Sequence, residues 1–284
     1  MSPTSGPAVS VSGLRTTYGD THAVDGVDLD IHAGEVFALL GPNGAGKTTT
    51  VEILEGYRRR DAGDVQVLGT DPARPTASWR SRIGIVLQSS SGHDELTVTE
   101  LVHHFAGYYP DARDPDEVIE AVGLTEKRPT RARHLSGGQR RRLDVALGIL
   151  GRPRLLFLDE PTTGFDPEAR RDFWTLIDSL ADDGTTILLT THYLDEAEYL
   201  ADRVAVIADG RIVEVETPQR LGGRAEQSAT VQWFEGGVAR SVTTAEPART
   251  VVELAARSGG EVPGLQVLRP TLEDTYLRLI GEQA

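Results

Sequence analysis

The stretch GPNGAGKTT, residues Gly41–Thr49, decides how the rest of the chain is interpreted. It follows a continuous apolar run, Glu35–Leu40, which predicts a buried strand, and it leads into a helix-like stretch that begins at Lys47 and ends near Tyr57. Glycines let successive backbone N–H groups turn toward one anion, and the start of a helix adds partial positive charge. The pattern G-x-x-x-x-G-K-[ST] in this context therefore predicts a phosphate-binding loop rather than an ordinary glycine-rich turn.

The same loop supplies most of the candidate nucleotide contacts. In this mechanism the Lys47 ammonium reaches the β and γ phosphates, and the Thr48 hydroxyl ligates Mg²⁺. The candidate nucleotide-binding residues in the loop are Gly41, Pro42, Asn43, Gly44, Ala45, Gly46, Lys47, Thr48 and Thr49.

The segments around the loop predict an α/β fold. Short apolar runs that alternate with helical patterns indicate a parallel or mixed sheet flanked by helices. Between Gln88 and His134 the strand pattern disappears, and two helix-start signals, Thr97–Glu100 and Asp114–Glu117, predict a helical insertion. The candidate strands are Val9–Leu14, Ala23–Ile31, Glu35–Leu40, Ile83–Leu87, Leu155–Leu158, Thr186–Leu189 and Val204–Ile207.

Composition divides the chain into three parts. Residues 1–8 have the character of a disordered lead, and residues 9–218 form the main α/β domain, with a helical subdomain at about residues 89–150. After Pro218 a strand-like stretch, a helix, a short strand and a final helix predict a small α+β appendage over residues 219–284.

Charge and composition exclude several functions. The 284 residues include 29 basic and 43 acidic side chains, for a net charge of −14, which opposes binding to nucleic acid or to an anionic membrane surface. There is no cysteine, so disulfides and thiolate metal sites are excluded. Neither a signal peptide nor an apolar run of about 18–20 residues is recognisable. We expect a soluble, cytosolic chain; if it acts at a membrane, another protein must hold it there.

A second acidic site follows the strand Leu155–Leu158, which runs directly into Asp159 and Glu160. The carboxyl ends of parallel strands face the ligand crevice, so Asp159 can meet the Mg²⁺ held by Thr48. Glu160 can then orient or deprotonate a water in line with the γ phosphate. Taken alone, the pair is better explained as a strand that leaves the core through acidic residues. The phosphate loop in the same chain reverses this preference and favours the metal site.

A second helix start lies at Leu135-Ser136-Gly137-Gly138-Gln139. Ser136 with Gln139 three residues later is a capping box, which is a sufficient structural explanation for these two residues. The paired glycines also leave the helix start bare, so that an anion can approach its free N–H groups. The arginines that follow, Arg140–Arg142, we interpret as a solvated helix face.

These motifs together resemble the nucleotide-binding domain of ATP-binding cassette (ABC) proteins. The phosphate loop, the LSGGQ signature and LLFLDEP occur in that family's order and approximate spacing, and the resemblance covers about residues 8–217. It implies an α/β P-loop NTPase fold with a mixed or parallel sheet, an inserted helical subdomain and the small C-terminal appendage. It also implies ATP hydrolysis.

The resemblance implies roles for further residues. Tyr18 corresponds to the aromatic residue that stacks on adenine, although a turn tyrosine explains it as well. Gln88 corresponds to a glutamine that senses Mg²⁺ and contacts the membrane partner, His192 to the switch histidine on the γ phosphate, and Asp166 to the D-loop that communicates across a dimer. The implied catalytic residues are Glu160, His192 and Gln88, and the implied Mg²⁺ ligands are Thr48, Gln88 and Asp159.

The family architecture implies a head-to-tail homodimer driven by ATP. The phosphate loop of one chain and Ser136–Gly138 of the other would enclose each nucleotide, and separate integral membrane permease subunits would complete a transporter. The segments His192–Arg211 and Leu272–Gly281 look like those of bacterial antibiotic-efflux ATPases of the daunorubicin-resistance type. We therefore expect an exporter subunit at the cytoplasmic face of the membrane.

Two alternatives remain from the sequence. A soluble ABC ATPase without transport would act on a macromolecular complex, but the chain shows neither a second cassette nor a long coiled coil, and its charge opposes nucleic acid. The second alternative is an inactive regulator that senses nucleotide. The residues needed for hydrolysis oppose it, because all of them are present: Lys47, Thr48, Asp159 and Glu160.

Overall fold

A computed structural model of the chain describes residues 6–87, 94–224 and 226–281. The described chain divides into two compact units, Met1–Val215 and Glu216–Ala284. The predicted lead, residues 1–8, lies mostly outside the described residues. Ala8 is an exception, because its side chain is 4% exposed and its N–H donates to the Ile31 carbonyl at 2.7 Å. Ordered structure therefore begins before Val9.

The first unit contains most of the strands. They are β1 (Val9–Tyr18), β2 (Thr21–Ile31), β3 (Val36–Leu40), β4 (Ala62–Val67), β5 (Ile83–Val86), β6 (Leu155–Asp159), β7 (Thr186–Thr191), β8 (Arg203–Ala208) and β9 (Arg211–Glu216). Its helices are α1 (Lys47–Leu54), α2 (Ala77–Arg80), α3 (Val98–Ala106), α4 (Pro115–Ala121), α5 (Gly137–Ile149), α6 (Pro167–Asp182) and α7 (Leu194–Leu200).

A six-stranded sheet with the order β5-β6-β7-β3-β8-β9 forms the centre of this unit. The pairs β5–β6, β6–β7, β7–β3 and β3–β8 are parallel, so their carboxyl ends lie along one edge. Every residue of β3 and β7 is buried, as expected for parallel strands covered on both faces. The prediction of an α/β fold is confirmed.

A separate antiparallel sheet, with the order β2-β1-β4, packs beside it. Val9, Val11 and Leu14 of β1 are buried, because one face of the sheet joins the core while the other meets solvent. The alternation shifts by one residue at an irregularity between Val11 and Leu14. Trp79 on α2 closes this core, and its indole N–H donates to the Val67 carbonyl at 2.8 Å. The sequence pattern missed β4, which carries only two buried residues.

Helices replace strands between β5 and β6. Thr97 begins α3 with the predicted capping box, since its side chain accepts from the Glu100 N–H and Glu100 accepts from the Thr97 N–H. Asp114 caps α4 by accepting from two backbone N–H groups. Helix α5 follows, and its apolar face packs against β5. No helix among the described residues combines the length and apolarity that crossing a bilayer requires.

The second unit has its own sheet and its own core. Strands β10 (Ala229–Glu235), β11 (Val238–Thr244) and β12 (Gln266–Leu268) pair in the order β11-β10-β12. Helix α8 (Pro247–Arg257) packs on β10, and helix α9 (Leu272–Gly281) contacts the short turn Leu221–Gly223. The apolar residues buried in this unit are Leu221, Ala229, Val231, Leu254, Leu272 and Leu279.

Candidate functional site

The phosphate loop connects the carboxyl end of β3 to the start of α1. Gly46 caps the helix with φ of 101°, and a Cβ at this position would lie 2.3 Å from the Ala23 carbonyl oxygen. A Cβ on Gly41 would lie 2.4 Å from the Ile207 carbonyl oxygen. Neighbouring strands therefore press on the loop backbone. Glycine alone satisfies the left-handed conformation at Gly46 and the close approach at both positions.

Lys47 lies inside this loop. Its side chain is 6% exposed, and its ammonium donates to the carbonyls of Gly41 at 2.7 Å and Pro42 at 3.1 Å. Burial lowers the pKa of Lys47, while the nearby carboxylates of Glu160 and Asp159 act in the opposite direction. The loop thus fixes one cation where it can meet phosphate oxygens.

A cavity of about 500 Å³ opens over the loop. Tyr18 stands at its wall, 43% exposed, with its hydroxyl 3.3 Å from the Thr49 hydroxyl and the Arg58 guanidinium 4.9 Å from the ring centroid. The volume lies in the range of small-molecule sites. The cavity is lined by Tyr18, Thr21, His22, Ala23, Asn43, Gly44, Gly46, Lys47, Thr48, Thr49, Glu160, Asp209 and Gly210.

The two acidic residues at the end of β6 have different environments. Asp159 accepts a hydrogen bond from the Thr190 hydroxyl at 2.6 Å. Glu160 has a left-handed backbone with φ of 42°, and its N–H donates to both the carbonyl and the hydroxyl of Thr190, at 3.1 and 3.0 Å. Strand β7 therefore positions both carboxylates, and Glu160 lines the nucleotide-sized cavity while Asp159 does not border it.

His192 follows β7 and lies beside Glu160. The His192 Nδ1 atom is 3.4 Å from the Glu160 Oε1 atom, and the ring is 39% exposed. Its position is supported by Tyr193, whose ring centroid is 4.2 Å away and which lies under the Arg170 guanidinium. In the sequence, Glu160 and His192 follow two different strands. The structure brings them together at one edge of the sheet.

The signature segment forms the start of α5. The Ser136 hydroxyl accepts from the Gln139 N–H at 3.3 Å, and the Gln139 side-chain oxygen accepts from the Ser136 N–H at 3.1 Å. The capping box is therefore present. Ser136, Gly138 and Gln139 also line a second cavity of about 340 Å³. A Cβ on Gly137 would meet no atom within 4 Å, so the helix start is open on this side.

Asp166 lines the same second cavity. It caps α6, because its carboxylate accepts from the Ala169 N–H at 2.8 Å. None of the phosphate-loop residues borders this cavity, and none of the signature residues borders the cavity over the loop. Within one chain the two helix starts thus serve separate surfaces.

Comparisons with known proteins agree with this geometry. The family model for ABC transporters matches residues 24–163. A daunorubicin resistance ATP-binding protein of Streptomyces coeruleorubidus is 37% identical, over 97% of this chain and 96% of the relative. A Nod factor export ATP-binding protein of Ralstonia nicotianae is 38% identical, over 98% and 95% respectively. A solved ATP-binding subunit of an ABC transporter is 25% identical, with a TM-score of 0.68, over 75% of this chain and 91% of that one.

The chain belongs to the ABC transporter ATP-binding proteins. The cassette binds ATP and hydrolyses it, as the phosphate loop and the carboxylates at the end of β6 indicated. The resemblance drawn from the sequence is confirmed, and so is the P-loop NTPase fold.

Oxygen donors around the loop fit the Mg²⁺ ion that such ATPases use. Thr48 lines the cavity, and Asp159 lies at the end of β6. Hydroxyl and carboxylate oxygens are hard ligands of the kind Mg²⁺ prefers, with phosphates completing its shell. No group of three or more His, Cys, Asp or Glu side chains forms a metal site within the described chain. Gln88, the third predicted ligand, lies outside the described residues.

Sequence reasoning missed the turn Asp209–Gly210 of this cassette. The Gly210 N–H donates to the Ala45 carbonyl at 3.1 Å, and the Gly210 carbonyl accepts from the Asp25 N–H at 2.8 Å. The turn therefore ties β8 and β2 to the phosphate loop and forms part of the cavity wall. The Asp-Gly pair signals a tight turn, but nothing in its sequence indicates that it packs on a loop about 160 residues earlier.

Arg141 is the second residue that sequence reasoning misjudged. Its side chain is 6% exposed, so its assignment to a solvated face is wrong. The guanidinium donates to the carbonyls of Leu87, of Asp159 at 2.7 Å and of Pro161 at 3.1 Å. It thereby joins the signature helix to the ends of β5 and β6. The backbone carbonyls accept its charge-bearing donors, which explains how an unsolvated arginine is tolerated here.

Proposed function

We propose that this ABC cassette is the ATP-hydrolysing subunit of an exporter for drugs or antibiotics. Two relatives that match over nearly their whole length, named for daunorubicin resistance and Nod factor export, support export as the direction. The absence of a membrane-spanning helix among the described residues fits a division of labour in which separate integral membrane permeases carry the substrate. The cassette would act from the cytoplasmic face of the membrane as a peripheral subunit.

The geometry supports specific roles around the nucleotide. Lys47 and the backbone N–H groups of Gly41–Gly46 hold the β and γ phosphates, and Tyr18 stacks on the adenine. Glu160 orients a water and accepts its proton while the water oxygen attacks the γ phosphorus and the bond to the bridging oxygen breaks. His192, 3.4 Å from Glu160, holds the γ phosphate in line. ADP and inorganic phosphate leave.

Thr48, Asp159 and Gln88 would hold Mg²⁺, which neutralises charge on the phosphate oxygens when it is bound. Thr48 and Asp159 supply oxygen donors from α1 and β6, two elements that begin or end at the same edge of the sheet. The Thr190 hydroxyl holds Asp159, and Thr48 stands in the first turn of α1.

The active form that we propose is a head-to-tail homodimer. The signature residues lie away from their own chain's phosphate loop, and each group lines a separate cavity. In this dimer a second copy supplies the helix start that the phosphate loop lacks. Ser136–Gly138 of one chain would face the nucleotide bound to the other chain. Leu135 and Gln139 would support that segment. Two positive helix ends can share the remaining negative charge of Mg-ATP, and hydrolysis removes the shared phosphate contact.

Replacing Gly137 by tryptophan tests this arrangement. The position is open, with no atom within 4 Å of where a Cβ would lie, so the folded monomer has room for the larger side chain. We expect Gly137→Trp to bind Mg-ATP normally by calorimetry but to stay monomeric in light scattering and to lose hydrolysis. Lys47→Ala, as a contrast, should lose nucleotide binding itself. A Gly137→Trp chain that still hydrolyses ATP at the native rate would contradict the shared site.

The transport assignment needs a membrane experiment. An affinity-tagged native chain, solubilised from its own membranes in mild detergent, should carry a multi-helix integral membrane protein at a fixed stoichiometry. Reconstitution of that complex in proteoliposomes should give ATP-dependent movement of daunorubicin or a similar amphiphilic drug. A chain recovered with ribosomes or another soluble assembly and with no membrane protein would favour the non-transport alternative instead.

The domain division is also part of this proposal. We assign nucleotide binding to residues 9–218, with the helical subdomain at about residues 89–150, and an accessory role to residues 219–284. The two compact units and the position of α3–α5 between β5 and β6 support this division.

A further inference from the structure

A third concave surface lies at the opposite edge of the six-stranded sheet from the phosphate loop. Its walls come from segments that precede the parallel strands: Arg82 before β5, Arg154 before β6 and Thr185 before β7. The phosphate loop and Glu160, by contrast, follow the carboxyl ends of β3 and β6. The cavity holds about 450 Å³, close to the 500 Å³ over the phosphate loop.

Charge distinguishes this cavity from the rest of the molecule. Asp183 is the one acidic side chain among the described residues that line it. The chain as a whole carries a net charge of −14, so a concave surface on which arginines outnumber carboxylates is locally opposite in sign. The basic residues of its wall are Arg82, Arg113, Arg152 and Arg154.

Two of these arginines, Arg113 and Arg82, make only long contacts in the part of the chain that the structure describes. The Arg113 guanidinium lies 3.9 Å from the Asp183 carboxylate, beyond hydrogen-bond distance, and the buried Arg113 Nε has no partner among the described residues. Arg82 donates to the Ser78 carbonyl at a long 3.3 Å. Guanidinium groups match the geometry of phosphate oxygens, which two such donors can hold in a bidentate manner.

The backbone around this cavity is held in an unusual conformation. Among the described residues, four that are not glycine have a left-handed φ: Leu68, Arg152, Glu160 and Asp209. Glu160 and Asp209 line the cavity over the phosphate loop, and Leu68 and Arg152 line this one. Such conformations cost free energy and concentrate at binding sites. Here the left-handed turn before Pro153 directs the chain so that Arg152 and Arg154 both border the cavity.

We propose that this cavity is a binding site for a soluble, phosphorylated small molecule, separate from the ATP site. The arginines would take its phosphate group, and the apolar part of the wall would take a small organic portion. A volume of about 450 Å³ suits a compound of nucleotide size or smaller. The apolar wall residues are Pro7, Ala8, Ala33, Leu68 and Pro153.

Pyrophosphate titration by calorimetry tests the site. The titrations use the Lys47→Ala chain, so that the phosphate loop contributes less to the signal. We expect saturable binding, weakened about tenfold or more when Arg113→Gln and Arg152→Gln are added, since each removes charge-assisted donors. The matched control adds Arg240→Gln and Arg249→Gln, which remove two exposed arginines of the second unit and leave binding unchanged within about twofold.

Two results would overturn the site. One is equal pyrophosphate affinity in the Lys47→Ala chain, the chain with the two cavity substitutions and the control chain. The other is that the control substitutions weaken pyrophosphate binding as much as the cavity substitutions do. Because loss of Arg113 can disturb folding, Arg152→Glu, at an exposed side chain, serves as a second variant that reverses a charge. It should also abolish binding while the circular dichroism spectrum stays native. Binding that survives Arg152→Glu in a folded chain counts against the proposal.

A phosphate group on a lipid is the alternative source of the same chemistry. Sedimentation with vesicles of phosphatidylglycerol, compared with vesicles of phosphatidylcholine, separates the two. We expect no sedimentation that depends on Arg113 and Arg152, because the ligand is soluble. The opposite result has two parts: the chain sediments with phosphatidylglycerol unless Arg113 and Arg152 are replaced, and it does not bind pyrophosphate in solution. That result would keep the phosphate site but overturn the soluble ligand.

Discussion

Glu160 has an unusual backbone conformation for a residue at the end of a strand. Its left-handed backbone, with φ of 42°, costs on the order of 1 kcal/mol. The Glu160 N–H donates to the carbonyl and the hydroxyl of Thr190, which holds the backbone in this conformation. The carboxylate then lies at the cavity wall beside His192. The left-handed backbone and the position at the cavity wall support the proposed role of Glu160 in hydrolysis.

The first prediction concerns this carboxylate. Glu160→Gln keeps the size of the side chain but cannot accept a proton, so ATP turnover should fall on the order of 10²-fold or more. Binding of Mg-ATP should stay within about twofold of native, since Lys47 and the loop are untouched. Steady-state phosphate release and calorimetric titration measure the two quantities.

A dimer should accumulate in the same variant when Mg-ATP is present, because the shared phosphate is no longer removed. Glu126→Gln, at an exposed position of the helical insertion, is the control and should leave turnover unchanged. Native turnover in Glu160→Gln would mean that another group activates the water.

The second prediction concerns Glu55, which is 8% exposed at the end of α1. Burial, reinforced by repulsion from Asp159 and Glu52, raises its pKa to about 8 from an ordinary 4.5. Between these values the folded chain keeps a proton that the unfolded chain releases. The contribution of Glu55 to stability therefore falls as pH rises through this window, and it is smallest above pH 8. Glu55→Gln, which is never charged, should be more stable than native at about pH 9, by on the order of 3 kcal/mol.

Urea unfolding at about pH 5, 7 and 9 measures this difference. The gap between Glu55→Gln and the native chain should shrink toward the acidic end, where the native carboxyl is protonated in the folded state. Glu273→Gln, exposed on α9, should track the native chain at every pH. A constant gap across the series would show that Glu55 does not titrate in this window.

At the scale of elements, Arg141 links the signature helix to the strands that carry the carboxylates. Replacement by methionine keeps much of the length of the side chain but leaves the carbonyls of Leu87, Asp159 and Pro161 without this donor. Unfilled buried acceptors are costly, so Arg141→Met should lower the free energy of unfolding by about 2–4 kcal/mol. Turnover should also fall, because Asp159 and Glu160 lose a constraint.

The neighbouring Arg140→Met is the matched control for this third prediction. Arg140 pairs with the exposed Asp94 at 2.9 Å, and such surface pairs contribute less than about 1 kcal/mol. Denaturant unfolding and phosphate release, measured on both variants, separate the two positions. Equal, small losses in both would mean that the buried guanidinium does not restrain the strands.

The predictability of these elements follows from how they are buried. Strands β3, β6, β7 and β8 lie between two covering layers, so each is a continuous apolar run that the sequence reveals. Strands β4 and β9 lie in less buried positions, and β9 is almost wholly half-buried, so RIVEVE gave no comparable signal. Their pairing depends on neighbours that are distant in sequence.

Some residues of the candidate site were predictable from the sequence, and others were not. The phosphate loop was predictable because its backbone conformation requires glycines at fixed spacing, and the carboxylates because they end a buried strand. Arg141 and the turn Asp209–Gly210 were not, since their roles arise from contacts between segments far apart in the chain. A run of three arginines on a helix does not reveal which one points inward.

For the whole molecule, the two compact units raise the question of how independent they are. Nucleotide-cavity residues all belong to the first unit, and the sheet that carries them is completed by β9, which ends at Glu216. Residues 219–284 bury their own apolar set around β10, α8 and α9. Each unit thus has a separate hydrophobic core, which is the physical condition for independent folding.

The fourth prediction follows from these separate cores. Deletion of residues 219–284 should leave a folded cassette that binds Mg-ATP within about twofold of native in calorimetry. The lifetime of the ATP-bound dimer or the affinity for the membrane partner should change instead, which light scattering and co-purification measure. If the shortened chain proves insoluble, a protease site introduced after Pro218 lets the units be separated once the full chain has folded. A folded first unit without ATP binding would show that the second unit contributes to the nucleotide site, and the division at this boundary would then be wrong.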